Sequence, residues 1–178
     1  MGDRLRNRLK QTRVMDPREE ALLSMIVAAY CVRDRFSACL SEVGISPGQY
    51  NVLRILRGAG EVGRTRGEIA ERLIERSPDV TRLVDRLEVL GLVRRLRNRS
   101  DRRCSSACVT EQGLALLARL DPHMDQQMAE MLALFQPGEL EMLEGLCERL
   151  IPETAPTTYG NNDPSEESAC LQASLTAE

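Results

Sequence analysis

The sequence of 178 residues has no tryptophan, and only 3% of its residues are aromatic. A core without aromatic residues has to be built from Leu, Val, Ile, Ala and Met, which favours packed helices over strands. With one histidine, His123, and six cysteines without C-x-x-C spacing, we expect neither a metal site nor a cofactor. No apolar run approaches the roughly 18 residues of a membrane-spanning helix. No signal peptide is visible either, which predicts a cytoplasmic protein with reduced thiols.

Charge is unevenly distributed along the chain, although its net value is only −3. Residues 64–103 contain twelve arginines and seven acidic residues, whereas residues 104–178 contain two arginines and thirteen acidic residues. A basic segment inside an acidic chain is a local electrostatic feature that favours a polyanionic partner over a merely solvated surface.

Capping residues and apolar spacing predict that most of the chain is helical. The first long helix is predicted to start at Asp16-Pro17 and to run to about Leu40, with Gly44 after it. Further helices are predicted to start at Ser46-Pro47, Thr65-Arg66 and Ser77-Pro78.

The apolar period changes after Gly91. Residues 92–97 have the pattern of a short strand, residues 98–103 that of a polar turn and residues 105–110 that of a returning strand. Together they predict a β-hairpin.

The two ends of the chain complete this plan. Residues 1–15 are predicted to form a basic N-terminal arm, and residues 152–178 a disordered acidic tail. Thr110 is predicted to cap a helix that kinks or restarts at Asp121-Pro122, and Gln136-Pro137 is predicted to begin the last helix.

Three short helices followed by a hairpin constitute a winged helix-turn-helix, so the sequence predicts a mainly α fold with a small β-hairpin wing. The helix that opens at Ser77 is the candidate recognition helix. Its apolar stripe faces the core, and its polar face fits the major groove of double-stranded DNA. The candidate contacts on this helix are Ser77, Asp79, Thr81, Arg82 and Arg86.

The hairpin, which we call the wing, carries the denser charge, with six arginines within ten residues from Arg94 onward. Contact with phosphates would relieve their mutual repulsion through the release of counterions. An arginine at the tip is long enough to enter a narrow minor groove. The candidate contacts in the wing are Arg95, Arg97, Arg99, Asp101, Arg102 and Arg103.

Five short motifs occur in order, reading QYNVL from residue 49, VTRLVDRL from residue 80, GLVRR from residue 91, SDRR from residue 100 and VTEQG from residue 109. In this order and spacing, residues 46–114 resemble the MarR family (multiple antibiotic resistance regulators).

This resemblance implies a homodimer with an all-helical dimerisation region, residues 16–45 and 111–151, and a DNA-binding domain, residues 46–110. It implies that Asp101 orients a neighbouring arginine and that Arg103 enters the minor groove. It further implies a transcriptional repressor, not an enzyme, that binds a pseudo-palindromic site and is released by a small aromatic or anionic effector. The candidate effector contacts are Tyr30, Phe36 and Tyr50, although core packing explains these aromatic residues equally well.

The sequence departs from the family pattern at two points. Residues 105–108 are more polar than the family's usual apolar alternation, and Asp79 would repel a phosphate near the start of the recognition helix. No base preference is therefore carried over. An alternative interpretation is an interaction protein that keeps the fold but has lost sequence-specific DNA reading.

The cysteines and a glycine-rich segment suggest two other functions. A thiol-based redox-sensing regulator would use Cys31, Cys39, Cys104 or Cys108, although cysteines also serve as small core residues. The segment 58–63 matches a dinucleotide-binding pattern, but the residues before it have helical spacing instead of the required strand. We interpret that segment as a turn between helices.

Overall fold

The computed structural model describes residues 2–10, 12–75, 79–97 and 105–152. The chain forms two compact units, of which the first ends at Pro47 and the second begins at Gly48. The described residues are mainly helical and include one small antiparallel sheet, which confirms the predicted mainly α class with a β-hairpin wing. Within these ranges, no helix is both long and apolar enough to cross a lipid bilayer.

The described residues of the first unit form α1 (Asp3–Leu9) and α2 (Pro17–Ser41). Asp16 Oδ1 accepts a hydrogen bond from the Arg18 N–H at 2.8 Å, which confirms the predicted start of the long helix. The prediction of a plain basic arm was incomplete, because α1 lies within it. The Gly2 N–H donates to Glu20 Oε1 at 2.7 Å and ties the start of α1 to α2.

Helix α3 (Pro47–Ala59) leads into the second unit and is followed by a 3₁₀ turn (Gly60–Val62) and by α4 (Arg66–Arg72). The glycine-rich segment therefore follows a helix and lies in a turn, as interpreted from the sequence. The predicted capping box of α4 is confirmed. The Glu68 N–H donates to Thr65 Oγ1 at 3.3 Å, and the Thr65 N–H donates to Glu68 Oε2 at 2.8 Å.

Helix α5 (Val80–Val89) is the second helix of the helix-turn-helix. The predicted start at Ser77-Pro78 was too early, since the N-cap is Asp79, whose Oδ1 accepts from the Arg82 N–H at 2.9 Å. A carboxylate oxygen satisfies the amide three residues into the helix as well as a serine hydroxyl does. For this reason the serine-proline pair was a misleading start signal.

Strands β2 (Val93–Arg97) and β3 (Ser105–Val109) pair antiparallel and confirm the predicted hairpin. A third strand, β1 (Arg64–Thr65), pairs with the other edge of β3. The sequence did not predict β1 because two residues have no readable period. Gly63, at φ 72°, allows this approach, because a Cβ at that position would collide with the Ala107 carbonyl oxygen.

Helices α6 (Glu111–Leu132) and α7 (Glu139–Glu148) complete the described part of the second unit. Of the predicted kink or restart at Asp121-Pro122, the restart was wrong, because α6 continues through Pro122 as one helix. Proline removes only one backbone donor, and the neighbouring turns preserve the helix. The start of α7 was predicted two to three residues early, since Gly138, at φ 84°, precedes it.

The core of the second unit is aliphatic and draws on α3, α4, α5, β2 and α6. Its fully buried members include Leu53, Leu56, Ile69, Leu87, Val93 and Leu117. Full burial of one such side chain contributes about 1.5–3 kcal/mol. The shared core therefore holds the recognition helix and the base of the wing in one fixed arrangement.

Candidate nucleic-acid interface

Helix α5 has a buried face and an exposed polar face. Val80, Val84 and Leu87 are buried, as the apolar stripe predicted. Arg82 lies in the first turn, and 81% of its side chain is exposed. Because the first turn of a recognition helix is the part that reaches base edges, the exposed guanidinium of Arg82 is the most prominent donor on α5. Arg86 is also exposed, and Thr81 is half-buried.

Asp79 performs a structural task at the start of α5. Besides capping the helix, its carboxylate lies near the guanidinium of Arg82, with Asp79 Oδ2 and Arg82 Nε 3.6 Å apart. The backbone dipole and the nearby cation both offset its negative charge. The repulsion between Asp79 and a phosphate, which argued against DNA binding, is thereby reduced.

Arg95 of β2 is bound to α5 by two carboxylates. Its Nε lies 3.1 Å from Glu88 Oε2, and its Nη2 forms an ion pair with Asp85 Oδ1. A guanidinium shared by two carboxylates on successive turns of a helix fixes the angle between that helix and the strand. The structure thus gives Arg95 partners within the protein, whereas the sequence predicted a DNA contact. The signal available in the sequence was the pair Asp85 and Glu88, one turn apart on α5.

Most of the other predicted wing contacts lie outside the described residues. These are Arg99, Asp101, Arg102 and Arg103, together with Ser77 before α5. Arg97 is the last described residue of β2, and its side chain is not among those described. Arg94 is exposed on the same strand.

The base of the wing is joined to α6 by a contact that the sequence did not predict. Thr110 Oγ1 donates to the Gly91 carbonyl at 2.7 Å, and the Thr110 N–H donates to the Leu92 carbonyl at 3.0 Å. Gly113 lies so close to Leu92 that a Cβ would collide with the Leu92 carbonyl oxygen. The turn after α5 is therefore packed directly on the first turn of α6.

The three candidate effector residues differ in exposure. Tyr30 is half-exposed on α2, with the Arg33 guanidinium 4.6 Å from its ring centroid. Phe36 is half-buried on the same helix. Tyr50, on α3, is only 8% exposed. Burial raises its pKa above the ordinary value; the charge of Arg54 lowers the pKa by a smaller amount, and the charge of Asp121 raises it.

The described cysteines also differ in accessibility. Cys31 is exposed and Cys39 is half-buried, both on α2. Cys108 is 1% exposed within β3, which makes it a core residue and a poor target for an aqueous oxidant. Cys104 lies outside the described residues. Within the described ranges, no group of three or more His, Cys, Asp or Glu side chains is arranged to hold a metal ion.

Comparison with known proteins addresses the family directly. Residues 45–105 match the model of the MarR family. A crystal structure of a MarR transcription factor from Planctomyces limnophilus is 34% identical, with 76% of this chain and 98% of that chain covered and a TM-score of 0.60. This chain belongs to the MarR family. It is a winged helix-turn-helix transcriptional regulator, and the family's members bind DNA.

Two further relatives of this MarR-family protein illustrate the range of similarity. The HTH-type transcriptional regulator MhqR of Bacillus subtilis is 27% identical over 135 residues, which are 74% of this chain and 92% of that protein. Sco3205 of Streptomyces coelicolor, a MarR family transcriptional regulator solved in complex with DNA, is 26% identical. The match covers 82% of this chain and 96% of that chain, with a TM-score of 0.67.

Proposed function

We propose that the chain acts as a homodimeric repressor that binds a pseudo-palindromic duplex and is released by a small aromatic or anionic effector. In each subunit, α5 occupies the major groove and the wing lies beside it over the minor groove. The observation that carries this proposal is the exposed Arg82 guanidinium in the first turn of α5, with 81% of the side chain accessible.

Arg82 suits the reading of guanine. A guanidinium donates two parallel hydrogen bonds to the O6 and N7 atoms at the major-groove edge of guanine. The backbone N–H of Arg82 donates to the Asp79 carboxylate. This bond holds the backbone of the first turn, while the Arg82 side chain projects outward. Thr81 and Arg86 then supply contacts to neighbouring bases or phosphates.

The wing is proposed to supply a second contact with DNA, and Arg95 is proposed to orient the wing for it. Arg95 joins β2 to Asp85 and Glu88 of α5, so the first strand of the wing is tied to the recognition helix. Arginines further along the hairpin, Arg99, Arg102 and Arg103, would then meet the phosphates and the minor groove next to the base pairs that α5 reads. In this arrangement Arg95 acts as a positioning residue.

The dimer is proposed to form through residues 16–45 and 111–151. Helix α7 exposes Leu140, Leu143 and Leu146, which fall on one face at a spacing of three residues. Helix α2 exposes Leu22, Met25 and Ile26. Apolar helix faces of this kind are stable in water only when covered, and a second copy of the chain offers the same faces under two-fold symmetry.

A dimer of this kind represses transcription when its site overlaps a promoter. We propose that an aromatic or anionic effector binds α2 near Tyr30 and Phe36. The pairing of Tyr30 with Arg33 supplies a ring face and a cation, which together suit an aromatic carboxylate. Tyr50 contributes to core packing in this proposal because it is buried.

The experiment compares Arg82→Ala with Arg119→Ala, which removes the same charge from an exposed position on α6. A duplex selected from a random library by the wild-type chain serves as the specific site, and binding is measured by gel shift at fixed salt. Arg82→Ala is expected to weaken binding to the selected duplex by about 10- to 100-fold, since one bidentate base contact is lost. Arg119→Ala is expected to change it by less than about 3-fold.

Two results would contradict the proposal. One is a wild-type chain that selects no sequence, which would favour the interaction protein without DNA reading. The other is an equal loss in the Arg82 and Arg119 variants. The same assay with Arg103→Ala tests the predicted minor-groove contact, and analytical ultracentrifugation establishes whether the variants remain dimeric.

A further inference from the structure

A side chain of α3 binds the backbone of the turn inside the helix-turn-helix. Asn51 Oδ1 accepts a hydrogen bond from the Ile74 N–H at 2.9 Å. The two residues are 23 positions apart in the chain, and both belong to the second unit. Of the described residues between α4 and α5, Leu73 is buried, whereas Ile74 is 84% exposed.

The Ile74 amide lies just beyond the end of α4. Leu73 has φ −68° and ψ 132°, an extended conformation that turns the chain away from the helix axis. The next N–H, that of Ile74, donates to Asn51 and not to a carbonyl of α4. Asn51 replaces the missing carbonyl with a side-chain oxygen.

The choice of asparagine is itself informative. Asn51 lies inside α3, where asparagine is a less favourable helix residue than alanine or leucine. Its neighbours in sequence, Tyr50 and Val52, are buried. An asparagine in the middle of a packed helix is therefore explained by a contact outside that helix, and the bond to Ile74 is that contact.

Asn51 binds the chain shortly before α5. In sequence, Ile74 precedes the cap residue Asp79 by five positions, and Arg82 follows that cap by three. Base-edge contacts tolerate displacements of only a few tenths of an ångström before their hydrogen bonds weaken.

We infer that Asn51 is a positioning residue for DNA recognition, which fixes the exit of the chain from α4 and thereby the placement of Arg82 in the groove. Asn51 itself contacts no base. This inference rests on the proposed role of α5, and it assigns to α3 a part in sequence selectivity beyond its part in the core.

The test compares Asn51→Ala, which removes the acceptor, with Asn51→Asp, which retains an acceptor oxygen and adds a negative charge. Gln126→Ala is the matched control, because the side-chain amide of Gln126 donates to Glu130 within its own helix. Two quantities are measured for each full-length variant. The first is hydrogen exchange of the Ile74 amide in the free protein. The second is the ratio of affinities for the selected duplex and for a random duplex of equal length, at the same salt concentration.

Asn51→Ala is expected to lose the protection of the Ile74 amide and to lower the affinity ratio by about 3- to 10-fold, the usual effect of one lost hydrogen bond. Asn51→Asp is expected to keep the protection of the Ile74 amide, because an acceptor oxygen remains. It is also expected to keep the affinity ratio, because the added charge weakens binding to the two duplexes equally and cancels in the ratio. Gln126→Ala is expected to change neither.

An unchanged ratio in Asn51→Ala, or an equal fall in Asn51→Asp, would overturn the inference. A role in stability alone would lower the melting temperature and leave the ratio intact, and that result also counts against it. Where Asn51→Ala folds poorly, Asn51→Leu preserves side-chain volume and helix propensity without an acceptor, and the same outcomes apply. A wild-type chain without selectivity would refute the proposed function, whereas amide exchange still tests the hydrogen bond.

Discussion

Two regions of the chain differ in how far they bury their aliphatic side chains. The first is the helix-turn-helix together with its sheet, and the second is helix α7. The first contains leucines with no exposed surface, namely Leu53, Leu56 and Leu87. Every residue of α7, which the structure describes in full, is half-buried or exposed, and Leu146 retains 50% of its surface. One region thus has a core of its own, whereas the other has an exposed apolar face that the proposed dimer would cover.

This difference separates two sources of stability in one chain. The DNA-binding part should keep its shape at any protein concentration, since its core is internal. If α7 lies at the proposed dimer interface, its stability should depend on protein concentration, because a second copy would cover its apolar face. Variants in each region can therefore test the comparison independently.

The largest effect is expected from Leu56→Ala in the core of the DNA-binding part. Truncation of a fully buried leucine costs about 2–5 kcal/mol of unfolding free energy, through lost burial and the cavity that remains. Urea unfolding measures this loss. The matched variant is Leu146→Ala on α7, measured at a concentration where the chain is monomeric. It should lose less, and equal losses would show that the two regions do not differ.

A smaller effect, of a different kind, is expected from Leu146→Glu. A carboxylate on the apolar face of α7 would have to be buried at the dimer contact, and we expect the dimer dissociation constant to rise by about 100-fold. Sedimentation equilibrium measures this constant. Val62→Glu, on a side chain that is 84% exposed in the other region, is the control. Dimerisation that is insensitive to the α7 substitution would remove α7 from the interface.

The smallest expected effect concerns the pH dependence of the free energy of unfolding in the DNA-binding part. Partial burial alone would raise the pKa of Glu68, but hydrogen bonds from the Thr65 N–H, the Arg64 guanidinium and the Thr65 hydroxyl outweigh it and hold the pKa below its ordinary value of 4.5. A carboxyl with a lowered pKa in the folded state stabilises the fold above its ordinary pKa. That stabilisation is lost as the pH falls through the folded-state pKa.

Glu68→Gln should therefore destabilise the protein near neutral pH, by about 1 kcal/mol at most for an exposed pair. Its difference from the wild type should shrink as the pH falls below about 4. Thermal unfolding across this range measures the difference. Glu71→Gln reports the effect of removing a carboxylate from the same helix outside the capping box. A difference that grows on acidification would contradict the assignment of the lowered pKa.

Much of the fold was predictable because local signals and tertiary structure agree. Asp16, Thr65 and Thr110 cap helices as the sequence predicted, and the change of period after Gly91 marks the wing. The errors occur where a local signal has a competitor. Ser77-Pro78 is a plausible helix start, but Asp79 provides the cap, and Pro122 is a plausible break, but α6 continues through it.

The candidate site was less predictable, because its geometry depends on contacts between residues far apart in sequence. An arginine-rich hairpin predicts phosphate contacts, but only the fold shows that Arg95 faces Asp85 and Glu88. In the same way, Asn51 lies within the QYNVL motif, but nothing in that motif predicts its bond to Ile74, which only the fold shows. The sequence shows which charged residues are present. Only the fold shows which of them form ion pairs within the chain and which remain available to bind DNA.

The unbroken course of α6 has a mechanical consequence. Its 22 residues make a rod about 33 Å long at the usual helical rise, and its base is fastened to the turn between α5 and β2 through Thr110 and Gly113. A tilt of about 5° at that base would displace the far end by about 3 Å, and a push at the far end would return a tilt of equal size to the turn. A rigid helix fastened in this way would act as a lever. Pro122 cannot donate a backbone hydrogen bond, and any bending there would reduce the tilt that reaches the turn.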